Sequence, residues 1–177
     1  VTIPENNIVG KRGEGWSVAN ATLSHERGSL SNPNAMMNRL NALIERMKNE
    51  TINGQKVIDN PVYRDKLMKI QGKVIAFQSN SLRVLSAKLN KNQDVKIAGM
   101  IQKYVGTELR HELEGFAIDI MGELGTLYQN SPNLRDGGSW QIAYMYFLGL
   151  IIWGGTSQIQ KNIISERGLG MTKEQKV

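Results

Sequence analysis

The run LSHER at residues 23–27 places an acid, a base candidate and a cation on consecutive positions: His25, Glu26 and Arg27. A carboxylate or an imidazole at such a place can act as a general base. Successive helical residues point about 100° apart, so these three side chains cannot form one cluster on a single helix. The residues alone leave two interpretations open, a functional site or solvated surface charges beside a surface or capping histidine.

Metal chemistry and nucleic-acid binding have little support in the composition. His25 and His111 are the two histidines and there is no cysteine, which excludes a disulfide framework and a Cys-ligated metal site. The 22 Lys and Arg against 16 Asp and Glu give the 177 residues a net charge of +6. An anionic partner is therefore worth considering, but the cations are scattered from Lys11 to Lys176. We predict no metal site and no nucleic-acid partner.

A second chemically distinctive run is WGGTSQIQKN, which begins at Trp153. Gly154 and Gly155 allow a sharp turn and a close approach of backbone to a ligand, and Thr156 or Ser157 can cap a helix. The free N–H groups and the positive dipole end of such a helix favour a phosphate or another anion. The alternative interpretation is a capped helix after a tight turn, because the run is not a G-x-x-x-x-G-K phosphate loop.

The segments that carry these runs are predicted to be helices. Apolar residues recur at three-and-four spacing from Trp16 onward, with a break expected at Pro33. Asn60 and Pro61 predict the start of a long helix. Its expected inward stripe is Leu67, Ile70, Val74, Phe77, Leu82, Leu85 and Leu89.

Three more helices follow in the pattern. A third, capped by Asp94, is expected to end near Tyr128; Gly122 and Gly125 inside it would cost roughly 1 kcal/mol each relative to alanine, which suggests a close approach. The fourth is the apolar segment 140–153, and a short final helix begins after the glycine pair. The connections between these predicted helices are short enough for the helices to fold back on one another. The sequence therefore predicts an all-α, antiparallel four-helix-type bundle with extra C-terminal helices and a short N-terminal strand and loop.

The apolar run 142–153 bears on location and on assembly. It is shorter than the roughly 20 residues that cross a membrane, so we expect a buried helix, at the bundle centre or at an interface with another subunit. The sequence as given shows no export signal at its start. We therefore predict no membrane span and a cytoplasmic protein.

Four segments together resemble the C-terminal half of an acyl-CoA dehydrogenase: VTIPENNIVGKRGEGW, LSHER, IMGELG and GGTSQIQKNIISERGLGM. The resemblance covers nearly the whole chain, and the last segment is its most specific part. It implies that residues 1–14 end a middle β-domain, that 15–170 form the C-terminal helical bundle and that 171–177 are a flexible tail. It also implies FAD as cofactor and α,β-dehydrogenation of an acyl-CoA thioester.

The resemblance also implies roles for individual residues. Many members carry the catalytic Glu before the Gly-Thr of the terminal motif, where this chain has Gly154, and a second group carries it at the position of Glu26. Glu26 is then the expected base, Arg27 an expected contact for the CoA arm, and Ser24 and His25 would flank the substrate. The remaining matches are to FAD-contacting positions: Thr156, Gln158, Asp119 and Gly122.

Departures from the family pattern leave a second hypothesis. The family's usual Gln and Gly-Gly read here as Asp119 and Gly122-Glu123, and the segment KNETINGQ lacks an Arg that reaches the neighbouring subunit's FAD. The family implies dimers or tetramers, homo- or hetero-oligomeric, and an electron-transfer flavoprotein as acceptor. The alternative is a non-catalytic helical subunit or domain that oligomerises and completes a partner's flavin site.

Overall fold

The computed structural model describes residues 2–29, 32–90 and 95–173, with the side chains of residues 24 and 27–29 outside the description. Within these ranges the chain forms six α-helices, several short 3-10 or π turns and one small hairpin. The helices are α1 (Gly15–Ser29), α2 (Pro33–Asn49), α3 (Pro61–Leu89), α4 (Lys96–Asp119), α5 (Ser139–Ile152) and α6 (Ser157–Ile163). The hairpin pairs β1 (Thr51–Ile52) with β2 (Gln55–Lys56).

Two Asn-Pro pairs begin α2 and α3. The Asn32 side chain accepts the backbone N–H groups of Asn34 and Ala35 at 2.9 and 3.1 Å, and Asn60 caps α3 in the same way. Proline fits the first helical position because its missing N–H would have no partner there. The expected break at Pro33 is therefore confirmed as a helix start. The cap expected at Asp94 lies outside the described residues.

Consecutive long helices run antiparallel. Contacts between α3 and α4 join Lys66 to Asp119, Lys73 to Glu112 and Asn80 to the carbonyl of Ala98. The residue number rises along one helix as it falls along the other, which is the signature of an antiparallel pair. The same holds for α4 and α5, and α4 contacts each of the other five α-helices. The predicted bundle is confirmed, with α4 at its centre.

The core lies at the end of the bundle where α2 packs on the first half of α3 and the second half of α4. Trp140 from α5 and Val57 from the β2–α3 connection complete it. Its helical members share near-complete burial: Met36, Leu40, Leu43, Met47, Leu67, Ile70, Val74, Phe77, Leu109, Leu113, Phe116 and Ala117.

The expected inward stripe of α3 is wrong in its second half. Leu82, Leu85 and Leu89 are exposed, and Val84 and Ala87 are buried instead. The inner face continues at the same three-and-four spacing through the half-buried Ser81 and the buried Val84, and the predicted stripe instead moved at Leu82 to the neighbouring apolar face of the helix.

The apolar segment of α5 also differs from the expected fully buried helix. Its outer face exposes large side chains at three-and-four spacing, whereas Trp140 and Leu150 face inward. The exposed members are Ile142, Met145, Tyr146, Leu148 and Ile152, followed directly by the exposed Trp153. The helix therefore does not lie at the bundle centre. Of the two positions expected for it, an interface with another subunit is the one that its exposed face still allows.

The helix α4 ends at Asp119, not near Tyr128, and the backbone continues as a 3-10 turn over Gly122–Thr126. Gly122 has φ +54°, a left-handed conformation that favours glycine. A Cβ on Gly125 would lie 2.6 Å from the carbonyl oxygen of Ile118. The close approach expected from these glycines is real at Gly125, where the chain folds back on its own helix.

The N-terminal segment 2–14 contains a single 3-10 turn at Glu5–Asn7. The strand expected there does not form because no strand among the described residues pairs with it. Among the described residues, no single helix is long and apolar enough to cross a membrane. The segments Arg135–Ile152 and Ser157–Gly168, which meet at a bend of 41°, reach the required length and apolar composition only when they are taken together. The domain boundaries at residues 14 and 170 remain predictions.

Candidate functional site

The glycine pair after α5 makes a tight turn into α6. Gly154 and Gly155 have φ values of 66° and 100°, which L side chains adopt at a cost. Thr156 caps α6, with its Oγ1 accepting the N–H of Ile159 at 3.3 Å. The predicted turn and cap are confirmed.

Hydrogen bonds from three polar side chains hold this turn in place. The Lys103 ammonium, on α4, donates to the carbonyls of Ile151 at 2.9 Å and Gly155 at 2.8 Å. The buried Gln160 amide donates to the Gly154 carbonyl at 2.9 Å. The Ser157 hydroxyl donates to Glu108, also on α4. The turn is therefore preformed by this chain, and its conformation depends on α4.

The groups on the outer side of the turn are suited to an anion. First-turn N–H groups of a helix have no partner within the helix, and a threonine hydroxyl can donate its hydrogen while its lone pair serves the cap. Gln158 is exposed beside them. The donors are neutral, and the two charged groups behind them, the Lys103 ammonium and the Glu108 carboxylate, are each engaged with the turn itself. Such a set of N–H and hydroxyl donors at a helix start favours an oxygen-rich anion over a cation.

The LSHER run lies in the second half of α1, which packs on α4. Glu26 is half-buried and His25 is exposed, while the side chains of Ser24 and Arg27 are outside the description. Glu26 thus stands on a helix that touches the same α4 that holds the glycine turn. No described residue of α1 is buried, so its position depends little on this chain's own core.

Asp119 and Gly122 lie away from the glycine turn. The Asp119 carboxylate pairs with Lys66 at 2.7 Å, at the far end of α4. Eleven residues separate Glu108 from Asp119, which at 1.5 Å per residue is roughly 16 Å along the helix. The two stretches predicted to contact FAD are therefore distinct places on the molecule, and a compact ligand at one would not touch the other.

A family model described as the C-terminal domain of acyl-CoA dehydrogenase matches residues 13–169. The chain belongs to the acyl-CoA dehydrogenase family.

Individual relatives agree with this match. The acyl-CoA dehydrogenase IpdE1 of Mycolicibacterium smegmatis is 30% identical over 173 residues, covering 96% of this chain and 40% of that protein. FadE26 of Mycobacterium tuberculosis, also an acyl-CoA dehydrogenase, is 28% identical over 181 residues, covering 98% and 44%. The crystal structure of the ChsE4-ChsE5 complex from Mycobacterium tuberculosis matches with a TM-score of 0.82 and 26% identity, covering 98% of this chain and 44% of that one. The chain spans about two fifths of the relatives it matches.

In this acyl-CoA dehydrogenase domain the backbone at Gly154 bears on where a catalytic carboxylate can stand. A glutamate with φ +66° would be strained by roughly 1–2 kcal/mol. The conformation therefore agrees with the glycine that the sequence has there, and it disfavours a carboxylate at the terminal motif. The two described histidines and the acidic residues form no group of three that could hold a metal ion within residues 2–29, 32–90 and 95–173.

Sequence reasoning missed a buried charge cluster that fixes the second half of α4. Glu114 is fully buried and accepts from Arg39 at 2.8 Å and from Arg110 at 2.5 Å. The Arg39 guanidinium also lies over the Trp140 ring, 3.4 Å from its centroid. Arg39 and Glu114 are 75 positions apart, and no local spacing signals such a pair.

A second missed cluster fixes the loop before α5. Asp136 accepts from Arg46 and, at 2.6 Å, from the Trp140 ring nitrogen. Burial raises the pKa of Asp136, but the hydrogen bonds from Arg46 and Trp140 and the nearby guanidinium charges outweigh it, so its pKa lies below the ordinary value. The carboxylate is thus held ionised, as an anchor for the loop that leads into α5.

Proposed function

We propose that this chain is the C-terminal helical domain of an FAD-dependent acyl-CoA dehydrogenase that oxidises the α,β-bond of an acyl-CoA thioester. The observation that carries the proposal is the preformed Gly154–Thr156 turn, whose Gly155 carbonyl is bonded to Lys103 on α4 and whose Gly154 carbonyl is bonded to Gln160 on α6. The family match over residues 13–169 supports the reaction class.

The turn fits the diphosphate part of FAD in its chemistry. Thr156 and Gln158 are the side chains we assign to it, together with the free N–H groups of the first turn of α6. FAD, when bound, supplies the acceptor for the β-hydride. The residues of this chain bind and orient it.

Glu26 is the residue we assign as the base that accepts the α-proton. A half-buried carboxylate on a helix that packs on α4 can be withdrawn from water when a substrate covers it, and a carboxylate so placed can act as a general base. Residue 154 is glycine in this chain, so the terminal motif offers no carboxylate at that position.

The remaining assignments follow the family pattern and stay proposals. Ser24 and His25 flank the thioester site and Arg27 binds the CoA arm. Asp119 suits a ribose hydroxyl better than a phosphate, because its negative charge repels an anion; Gly122 provides the turn beside it. An electron-transfer flavoprotein is the proposed acceptor, and the cytoplasm the proposed location.

The decisive experiment compares Glu26→Gln with the matched control Glu45→Gln in the flavoprotein that contains this chain. Glu45 is an exposed carboxylate on α2 paired only locally with Lys48. Under anaerobic conditions, acyl-CoA should bleach the flavin absorbance of the control and leave that of Glu26→Gln unchanged, while both retain FAD. Normal bleaching in Glu26→Gln would remove the assignment of the base.

A second candidate function, non-catalytic assembly, is favoured by the outer face of α3. Large and small side chains alternate there at a four-three spacing, and all seven are exposed: Met68, Gly72, Ile75, Ser79, Leu82, Ser86 and Leu89. Such a seam matches the packing of another helix at close range. Together with the exposed face of α5, it supports a homo- or hetero-oligomer.

The two candidates differ in a simple measurement. Light scattering and a visible absorption spectrum on the purified protein give its mass and its flavin content together. A yellow oligomer that acyl-CoA bleaches supports the dehydrogenase, whereas a colourless oligomer that becomes active only with a second subunit supports the assembly role.

A further inference from the structure

Lys103 is among the most buried side chains of the protein, with 2% of its surface exposed. Its ammonium reaches two backbone carbonyls on opposite sides of the glycine turn, Ile151 in the last turn of α5 and Gly155 just before α6. One charged group therefore bridges the end of one helix and the start of the next.

Physical chemistry explains why a buried lysine is useful at this point. The last four carbonyls of an α-helix have no partner within the helix and carry the negative end of its dipole. An ammonium placed there satisfies them with charge-assisted hydrogen bonds, which are about twice as strong as neutral ones. Burial of that charge is costly unless it is so satisfied.

The second carbonyl gives the contact its specificity. Gly155 has φ +100°, and the direction of its carbonyl depends on that left-handed conformation. A bond of 2.8 Å to Lys103 holds the carbonyl inward, so that the N–H groups after it are presented on the outer side of the turn. The hydrogen bond from the Gln160 amide holds the carbonyl of the preceding residue, Gly154, inward in the same way.

We propose that Lys103 is a positioning residue for the flavin-binding turn: its ammonium fixes the Gly155 peptide and thereby the donors of Thr156 and the first turn of α6. That the turn binds flavin rests on the proposed function. That Lys103 fixes the conformation of the turn does not depend on it. Lys103 acts through the backbone and needs no contact with the cofactor.

The first test measures the turn itself. Amide hydrogen exchange is measured at Trp153, Ile159 and Gln160, whose N–H groups donate to the Gly149 carbonyl, the Thr156 hydroxyl and the Thr156 carbonyl and so report on both ends of the turn. It is compared in the wild-type flavoprotein, in Lys103→Met and in Lys96→Met, which removes the same charge from an exposed position at the start of the same helix. We expect exchange in Lys103→Met to be faster by roughly tenfold or more, the factor for a lost charge-assisted hydrogen bond, with Lys96→Met unchanged. Unchanged exchange at these three residues would overturn the proposal.

A second variant covers the case in which Lys103→Met does not fold. Lys103→Gln keeps one donor in the same place, and we expect faster exchange confined to the turn. Equal acceleration in α2 and α3 would mean a general loss of stability, and it would contradict a positioning role.

The second test connects the turn to the flavin through a double-mutant cycle. The Kd for FAD is measured in wild type, Lys103→Met, Thr156→Ala and the double variant. If Lys103 acts through the turn, the double variant loses less affinity than the product of the two single losses. Losses that multiply would overturn the link. Absence of FAD binding in the wild type would refute the proposed function and leave the exchange result standing.

Discussion

The two regions singled out in the sequence differ in how firmly this chain holds them. The glycine turn is tied to α4 by Lys103 and Glu108 and to α6 by Gln160. The helix that carries Glu26 packs on α4 but buries none of its described residues. One region is tied to the rest of the chain by several hydrogen bonds, and the other lies on its surface.

Under the proposed function the difference has a reason, because the site would bind both a cofactor and a substrate. A cofactor that stays bound gains affinity from a rigid, preorganised surface. A substrate that enters and leaves needs an element of low local stability. Changes on the α4 side should therefore cost stability, and changes on α1 should cost function with little effect on stability.

The largest loss is expected from Glu114→Ala. This change leaves the partly buried guanidinium groups of Arg39 and Arg110 without the fully buried carboxylate that they share, and removing one partner of a buried ion pair costs about 3–5 kcal/mol. Urea unfolding of the purified protein measures it. The control is Glu45→Ala, which removes an exposed ion-pair partner of Lys48 and should lower the free energy of unfolding by less than about 1 kcal/mol. Equal losses in the two variants would contradict the difference between the buried and the exposed site.

A smaller loss is expected from Gly125→Ala. The new Cβ would lie 2.6 Å from the Ile118 carbonyl oxygen, so the 3-10 turn must move, at a cost of about 1–3 kcal/mol for overpacking. Thermal unfolding checks this. Gly99→Ala is the matched control, because the nearest atom to a Cβ there is a Val84 methyl at 3.9 Å, an ordinary contact, and alanine favours the helix. A stability of Gly125→Ala equal to that of the control would contradict the close approach.

Acid should next weaken the contacts that join α2 and α5 through the loop before α5. The pKa of Asp136 is lowered in the folded protein from its ordinary value of 3.8. Its contribution is therefore fully present above that value and is lost as the pH falls through the lowered folded pKa. Urea unfolding between pH 7 and pH 3 should show a loss of stability below about pH 4 that Asp136→Asn reduces. An identical pH profile in both proteins would count against the Arg46 and Trp140 contacts as the cause.

Local features were predictable where a few neighbouring residues determine the backbone. Asn-Pro starts a helix at residues 32 and 60, and the pair Gly154-Gly155 makes a turn, because each acts on its own dihedrals and N–H groups. The all-α bundle followed from the same patterns. The family resemblance depended on short motifs of this kind.

Features that depend on a distant partner were not predictable. Lys103 gave no sign of its carbonyl contacts 48 and 52 positions away. Leu82 and Leu89 were assigned inward because α3 carries two apolar stripes, and spacing alone does not say which of them another helix of the same chain covers. The end of α4 was placed too late because apolar residues continue through Leu124 after the helix has stopped.

The smallest effect on stability is expected on α1, from Trp16→Ser. The Trp16 side chain is 76% exposed, and a substitution at such a position changes the free energy of unfolding by no more than about 0.5 kcal/mol. The same change should alter the KM for acyl-CoA if α1 is positioned by what packs over it, because a large exposed aromatic side chain marks a surface that another element covers. Steady-state kinetics and urea unfolding of one protein preparation separate the two effects. A loss of stability comparable to that of Gly125→Ala would mean that α1 belongs to the rigid part after all, and a change in neither quantity would leave the glycine turn as the region of this chain that positions a ligand.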